Sequence, residues 1–132
     1  MKNLLLILVL TPFVSFTTVN PIEEGGLSGI SQAISKGDAE ALGAYFDSQV
    51  EISIMDEEDY YDKAEAINIV KKFFSQNQPK SFKEMHQGTS KGNDSQYCIG
   101  NLVATSGTFR VYVYMKNSAN KPVIQELRFD KE

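Results

Sequence analysis

The sequence predicts an α+β domain in which three N-terminal helices pack on an antiparallel sheet. Two patterns carry that expectation. Between residues 27 and 74 apolar side chains recur at helical spacing around one short alternating run. Beyond residue 80 the chain turns to four alternating segments separated by Gly-, Asn- and Ser-rich loops.

The chain opens with Lys2 and the unbroken apolar run of residues 4–10, followed by Pro12 and a Ser/Thr-rich stretch. A short charged start, an apolar run too brief to span a bilayer and a polar exit make a secretory signal. It is assigned to residues 1–19, leaving one domain at 20–132. No cysteine follows the apolar run closely enough to take a lipid, and nothing later is apolar enough to span a membrane. The expected product is therefore exported, periplasmic or secreted, soluble and not a lipoprotein. Cys98 is the only cysteine, so stability must come from a packed core and not from disulfides. The chain carries 13 basic and 17 acidic residues, and losing Lys2 with the signal moves the net charge from -4 to -5. That balance argues against nucleic acid or an anionic membrane as the partner.

Leu27, Ile30, Ala33 and Ile34 share one face of a first helix, and Gly37 stands where a helix end calls for a left-handed residue. Asp38 caps a second helix, with Leu42, Tyr45 and Phe46 on one side before Asp47 and Ser48 end it. Val50, Ile52 and Ile54 alternate with Glu51 and Ser53 as a half-buried strand, and residues 55–59 read as an acidic bend. Asp62 with Glu65 resembles a capping box at the start of a third helix, striped by Ile67, Val70, Phe73 and Phe74.

Four strands follow, at residues 81–88, 96–105, 108–116 and 123–130. A two-residue turn at Ser106-Gly107 would set Thr105 opposite Thr108. Cys98, Gly100, Leu102 and Ala104 then share a face with Phe109, Val111, Val113 and Met115, all apolar or small, and that face is expected against the helices. The opposite face carries Tyr97, Ile99 and Val103 with Arg110, Tyr112, Tyr114 and Lys116, more apolar than a solvated surface requires. Tyr112 and Tyr114 are the expected interface residues of a homodimer or of another partner that covers it.

The order helix, helix, strand, long helix and antiparallel meander resembles the cone-shaped fold of the nuclear transport factor 2-like superfamily, in which the helices pack on a curved sheet. Gly37-Asp38-Ala39-Glu40-Ala41-Leu42, running through Phe46 and Asp47 to Val50-Glu51, looks like that superfamily's second helix and first strand. Tyr61-Asp62-Lys63-Ala64-Glu65-Ala66-Ile67 is similar to the opening of its third helix. The segments Tyr97-Cys98-Ile99-Gly100-Asn101-Leu102, Gly107-Thr108-Phe109-Arg110-Val111-Tyr112 and Ile124-Gln125-Glu126-Leu127-Arg128 resemble a family of short exported bacterial proteins whose function is unknown. The resemblance implies a fold and an address but no single activity, since the superfamily mixes enzymes with binding domains. Steroid-isomerase-like members place an aspartate base where this chain has Ile52 or Ile54, so that base is absent.

Four residues are candidate ligand contacts. His86, the only histidine, lies two residues after Glu84. If Phe82 points inward, Glu84 and His86 follow it into the cone as an acid/base pair, the alternative being a surface or structural histidine. Gln125 would share the apolar face with Val123, Leu127 and Phe129, where its amide must bond a ligand or an internal group. Tyr60 would line the cone mouth or fill the core. The acidic run at residues 56–62 lacks an EF-hand pattern, and one histidine with one cysteine gives no zinc spacing, so no metal or cofactor is assigned. Gly88-Thr89-Ser90-Lys91-Gly92 matches a hydrolase string but lies between strands with its histidine upstream. No catalytic residue is assigned. The leading expectation is a non-catalytic domain that binds a small ligand in the cone or a protein through its sheet. The alternatives are an isomerase- or hydrolase-like enzyme using Glu84 and His86, and a structural envelope-assembly module.

Overall fold

The computed structural model describes residues 26–118 and 121–132, so the signal assigned to 1–19 lies outside the described residues. Helix α1 (Leu27–Lys36) buries Ile30, Ala33 and Ile34. It ends where Gly37 turns left-handed at φ 66°, with the N–H groups of Gly37 and Asp38 returning to the carbonyls of Ile34 and Ala33. Helix α2 (Ala39–Gly43) begins at Asp38, whose side chain accepts from the Ala41 N–H at 3.0 Å. It is one turn long, not the longer helix expected. Gly43 sits against Ile67, leaving no room for a side chain, and Phe46 already belongs to the next strand.

Strand β1 (Phe46–Ile54) turns at Met55, which takes φ 55°, into β2 (Glu57–Asp62), with Val50 opposite Tyr61. The expected acidic bend is therefore mostly an edge strand. Charged side chains suit a sheet edge because they discourage another chain from pairing there. Asp62 then accepts from the Glu65 N–H at 2.8 Å and opens α3 (Lys63–Gln76), which buries Ala66, Val70, Phe73 and Phe74.

Strands β3 (Pro79–Thr89), β4 (Ser95–Ala104), β5 (Gly107–Ser118) and β6 (Lys121–Lys131) complete one six-stranded sheet in the order β2-β1-β6-β5-β4-β3. Two parts of the expected architecture need correction. Only two helices precede the first strand, since α3 follows the β1/β2 hairpin, and the sheet is mixed because β1 pairs parallel to β6. That pairing joins segments some 75 residues apart, so no local pattern announces it.

The β4/β5 turn is Thr105-Ser106, with Ala104 opposite Gly107, a slip of two residues from the expected register. Because side chains alternate with period two, the slip changes partners but not faces. Cys98, Leu102, Ala104, Phe109, Val111, Val113 and Met115 all point into the core. Phe73 of α3 seals that core against Phe129 and Phe109, with ring centroids 4.3 and 5.2 Å away.

Candidate functional site

Edge strand β3 decides what Glu84 and His86 can do together. Glu84 pairs with Gly100, but His86 pairs with the adjacent Ile99, so Met85 is the extra residue of a β-bulge. A bulge sets two residues against one and thereby resets the alternation. Glu84 keeps to the helix side with Phe82, while His86 turns to the outer side. There, exposed, it borders a cavity of about 220 Å³ with Met85, Ile99, Asn101 and Arg110. The expected acid/base pair in one pocket is not formed.

Glu84 is half-buried beside α1. The Ser31 hydroxyl donates to one of its carboxylate oxygens and the Gln87 amide to the other. These residues face a cleft of about 520 Å³ between α1 and β3. Neither Ser31 nor Gln87 stood out in the sequence. The available signal was the repeat of Ser28, Ser31, Gln32 and Ser35, a polar stripe flanking the apolar stripe of α1.

Gln125 is not on the apolar core face. Tyr114 pairs with Glu126 and Met115 with Ile124, which leaves Gln125 as an unpaired bulge residue of β6, and Ile124 takes the buried place expected of Val123. On the other flank residues 47–50 of β1 stand against Gln125 alone, and its amide donates to the Asp47 carboxylate. Tyr60 lies on the outer face of β2 opposite Glu51, 67% exposed, away from the space between helices and sheet. Neighbouring Tyr61 is the tyrosine that packs against the core.

Tyr112 and Tyr114 occupy the outer face of the sheet, half-buried. Tyr97 joins them, its ring stacked on that of Tyr112 at 6.4 Å between centroids and 28° between planes. The Tyr97 ring also lies over Gly88. A Cβ at that glycine would meet the ring at Cε1 and stand 2.7 Å from Cζ. Burial, then the charge of Glu126, pushes the Tyr112 phenol above its ordinary range.

Across β6 the face becomes acidic. Glu51 stands beside Glu126, and Arg128 pairs with Glu126 at 3.5 Å. A hydrogen bond with Glu58 is the main cause raising the Glu51 pKa, followed by burial and the charge of Glu126. Glu51 in turn raises Tyr60, by charge and by hydrogen bond.

Two further groups have structural roles. Burial first, then the charge of Glu84, pushes the Cys98 thiol up to about 12, so it stays protonated as core packing. Ser90 lies in the β3/β4 turn, where its hydroxyl accepts from the Ser95 N–H at 3.0 Å. Among the described residues no group of three or more His, Cys, Asp or Glu is placed to hold a metal, and no helix is long and apolar enough to cross a membrane.

No curated protein matches the chain. It is similar to the solved structure of a DUF4783 family protein from Bacteroides uniformis at 31% identity and a TM-score of 0.76, over 80% of this chain and 96% of that one. A DUF4783 family protein from Bacteroides ovatus gives 30% identity and 0.75, over 79% and 93%. An NTF-2 like protein of unknown function from Silicibacter pomeroyi gives 11% identity and 0.59, over 79% and 87%, a likeness of fold alone. The Domain of unknown function (DUF4783) family matches residues 27–130. With that match over most of its length and with the nuclear transport factor 2-like arrangement of its helices and sheet, the chain belongs to the DUF4783 family.

Proposed function

We propose that this is an exported, non-catalytic domain that works by self-association through the outer face of its sheet. The observation that carries the reading is the division of charge on that face about an aromatic centre. Glu51, Glu58, Glu126 and Asp130 stand on β1, β2 and β6 with Arg128 among them. Strands β3 and β5 present Lys83, Arg110 and Lys116 with His86 and no carboxylate of their own, Arg110 being paired across the boundary with Glu132 at 2.9 Å. The strand order puts the first group wholly on one side of the β6/β5 boundary and the second on the other.

A two-fold axis lying in the face along that boundary turns the acidic half of one copy onto the cationic half of the next. It also brings Tyr112 and Tyr114 close to their counterparts. Tyrosines are enriched at interface centres, where they combine large contact area with a hydroxyl that still finds a partner. The separation of Glu84 from His86 by the Met85 bulge disfavours the enzyme. Export rests on the leader pattern at residues 1–19.

Sedimentation over a range of concentration tests the proposal. The chain should dimerise, more weakly as salt rises. Tyr112→Ala should weaken the dimer roughly 30-fold, as expected for loss of about 2 kcal/mol at a central aromatic. A variant with Lys83→Glu and Arg110→Glu and another with Glu51→Lys and Glu126→Lys should each be monomeric, yet associate with one another when mixed. A wild-type chain that stays monomeric at high concentration, or reversed variants that do not recognise each other, would sink it.

A further inference from the structure

The cleft between α1 and β3 is independent of the outer face, and its lining has a definite chemistry. Helix α1 contributes Ser28, Ser31, Gln32 and Ser35, and β3 contributes Glu84 and Gln87, with Phe82 and Leu27 as the apolar part of the wall. Its volume of about 520 Å³ lies within the range of roughly 300–1,000 Å³ typical of small-molecule sites.

Three properties of this lining narrow what it could hold. Among the described residues no Lys, Arg or His lines the cleft, so none of them compensates a phosphate or carboxylate there. Its hydroxyls and amides each both donate and accept, which matches a ligand whose own groups do both, as alcohols do. Glu84 is held in place by Ser31 on one oxygen and Gln87 on the other. An ionised carboxylate offers about four acceptor positions, so each oxygen keeps one free. Two adjacent acceptors, already ordered by the protein, suit two neighbouring hydroxyls of one ligand and spare part of the ordering cost of binding. Phe82 and Leu27 supply the surface on which the C–H side of a sugar ring rests.

We infer that the α1/β3 cleft is a binding site for a neutral saccharide of one or two rings, with Glu84 accepting hydrogen bonds from a vicinal diol. The inference does not depend on self-association, since the cleft and the outer sheet face lie on opposite sides of β3.

The test is an amide NMR titration of the full ¹⁵N-labelled chain with glucose, galactose, mannose, N-acetylglucosamine, maltose and lactose, and with spermidine as the cationic comparison. At least one saccharide should give saturable shifts in α1 and β3, together with the side-chain amides of Gln32 and Gln87. Glu84→Gln should weaken that binding about tenfold, as loss of a charged acceptor does. Because Glu84→Gln also alters the tie to Ser31, Ser35→Arg provides the second variant. It leaves that tie intact, fills the cleft and should abolish the shifts with the rest of the spectrum unchanged. No saturable shift from any of the six sugars, shifts from spermidine alone, or shifts that survive Ser35→Arg would overturn the assignment.

Discussion

Replacing Gly100 by alanine should destabilise the domain through one identifiable collision. Gly100 lies in the interior strand β4, paired with Glu84 of β3 and Val111 of β5. A Cβ there would run into Cζ of Phe82, stand 2.6 Å from its Cε2 and 2.7 Å from the Lys83 carbonyl oxygen. The ring can swing toward the α1/β3 cleft, but the carbonyl is backbone within the β3/β4 ladder and yields only if the edge strand shifts. Overpacking of this kind costs about 1–3 kcal/mol, while the lost freedom of glycine in the unfolded chain returns about 0.4–1 kcal/mol. The balance is a loss of about 1–2 kcal/mol. For a domain of this size that is a fall in Tm of roughly 5 °C, read by thermal denaturation followed by circular dichroism. A double-mutant cycle with Phe82→Ala isolates the cause, because removing the ring should relieve part of the cost and make the double variant less destabilised than the two changes summed. A Gly100→Ala protein as stable as wild type, or strict additivity in the cycle, would refute this account of the packing.

Two further outcomes follow from local chemistry. Asp62→Ala removes the cap on α3 and should cost about 1 kcal/mol, seen as a lower urea midpoint with unchanged slope; no change would mean the Asp62 side chain contributes nothing to α3. Glu51 carries a folded pKa raised above its ordinary 4.5 by Glu58, burial and Glu126, so its protonated form favours the folded state. That contribution is complete below the ordinary pKa and is lost as pH rises through the folded one. Glu51→Gln should therefore be more stable than wild type at pH 7 by a few tenths of a kcal/mol, a small figure because the site is partly solvated. The advantage should vanish near pH 4, measured by urea unfolding in dilute solution. A Gln variant that is less stable at pH 7 would contradict the carboxylate crowding.

The parts of the fold legible in the sequence are those set by neighbours along the chain. Gly37, Asp38 and the Asp62/Glu65 pair marked helix ends because capping depends on residues within one turn. The inner and outer faces of β4 and β5 followed from alternation, which even a two-residue error in the turn left intact, and with them the placing of Tyr112 and Tyr114. What escaped was set by pairing at a distance. The bulges at Met85 and Gln125 arise from fitting one strand against another, and they moved His86 to the outer face and Gln125 off the core. Strand β2 escaped because Glu and Asp have low strand propensity, which an exposed edge tolerates.

The bulge at Met85 governs both functional readings, so it matters that it cannot easily slide along β3. On the inner face the Phe82 ring of β3 lies over Gly100 of β4, and on the outer face the Tyr97 ring of β4 lies over Gly88 of β3. Each strand thus lends an aromatic ring to a glycine of the other, a device that pins register where a glycine would otherwise leave a gap. The two locks flank Met85, one before it and one after. Moving the bulge beyond either would push a ring off its glycine, so the reset in alternation is confined between Phe82 and Gly88. Inside that interval the hydrogen bonds from Ser31 and Gln87 keep Glu84 toward α1, so the reset falls after it and His86 turns to the outer face beside Arg110. The separation that keeps Glu84 and His86 from forming an acid/base pair is the same one that supplies a carboxylate to one surface and an imidazole to the other.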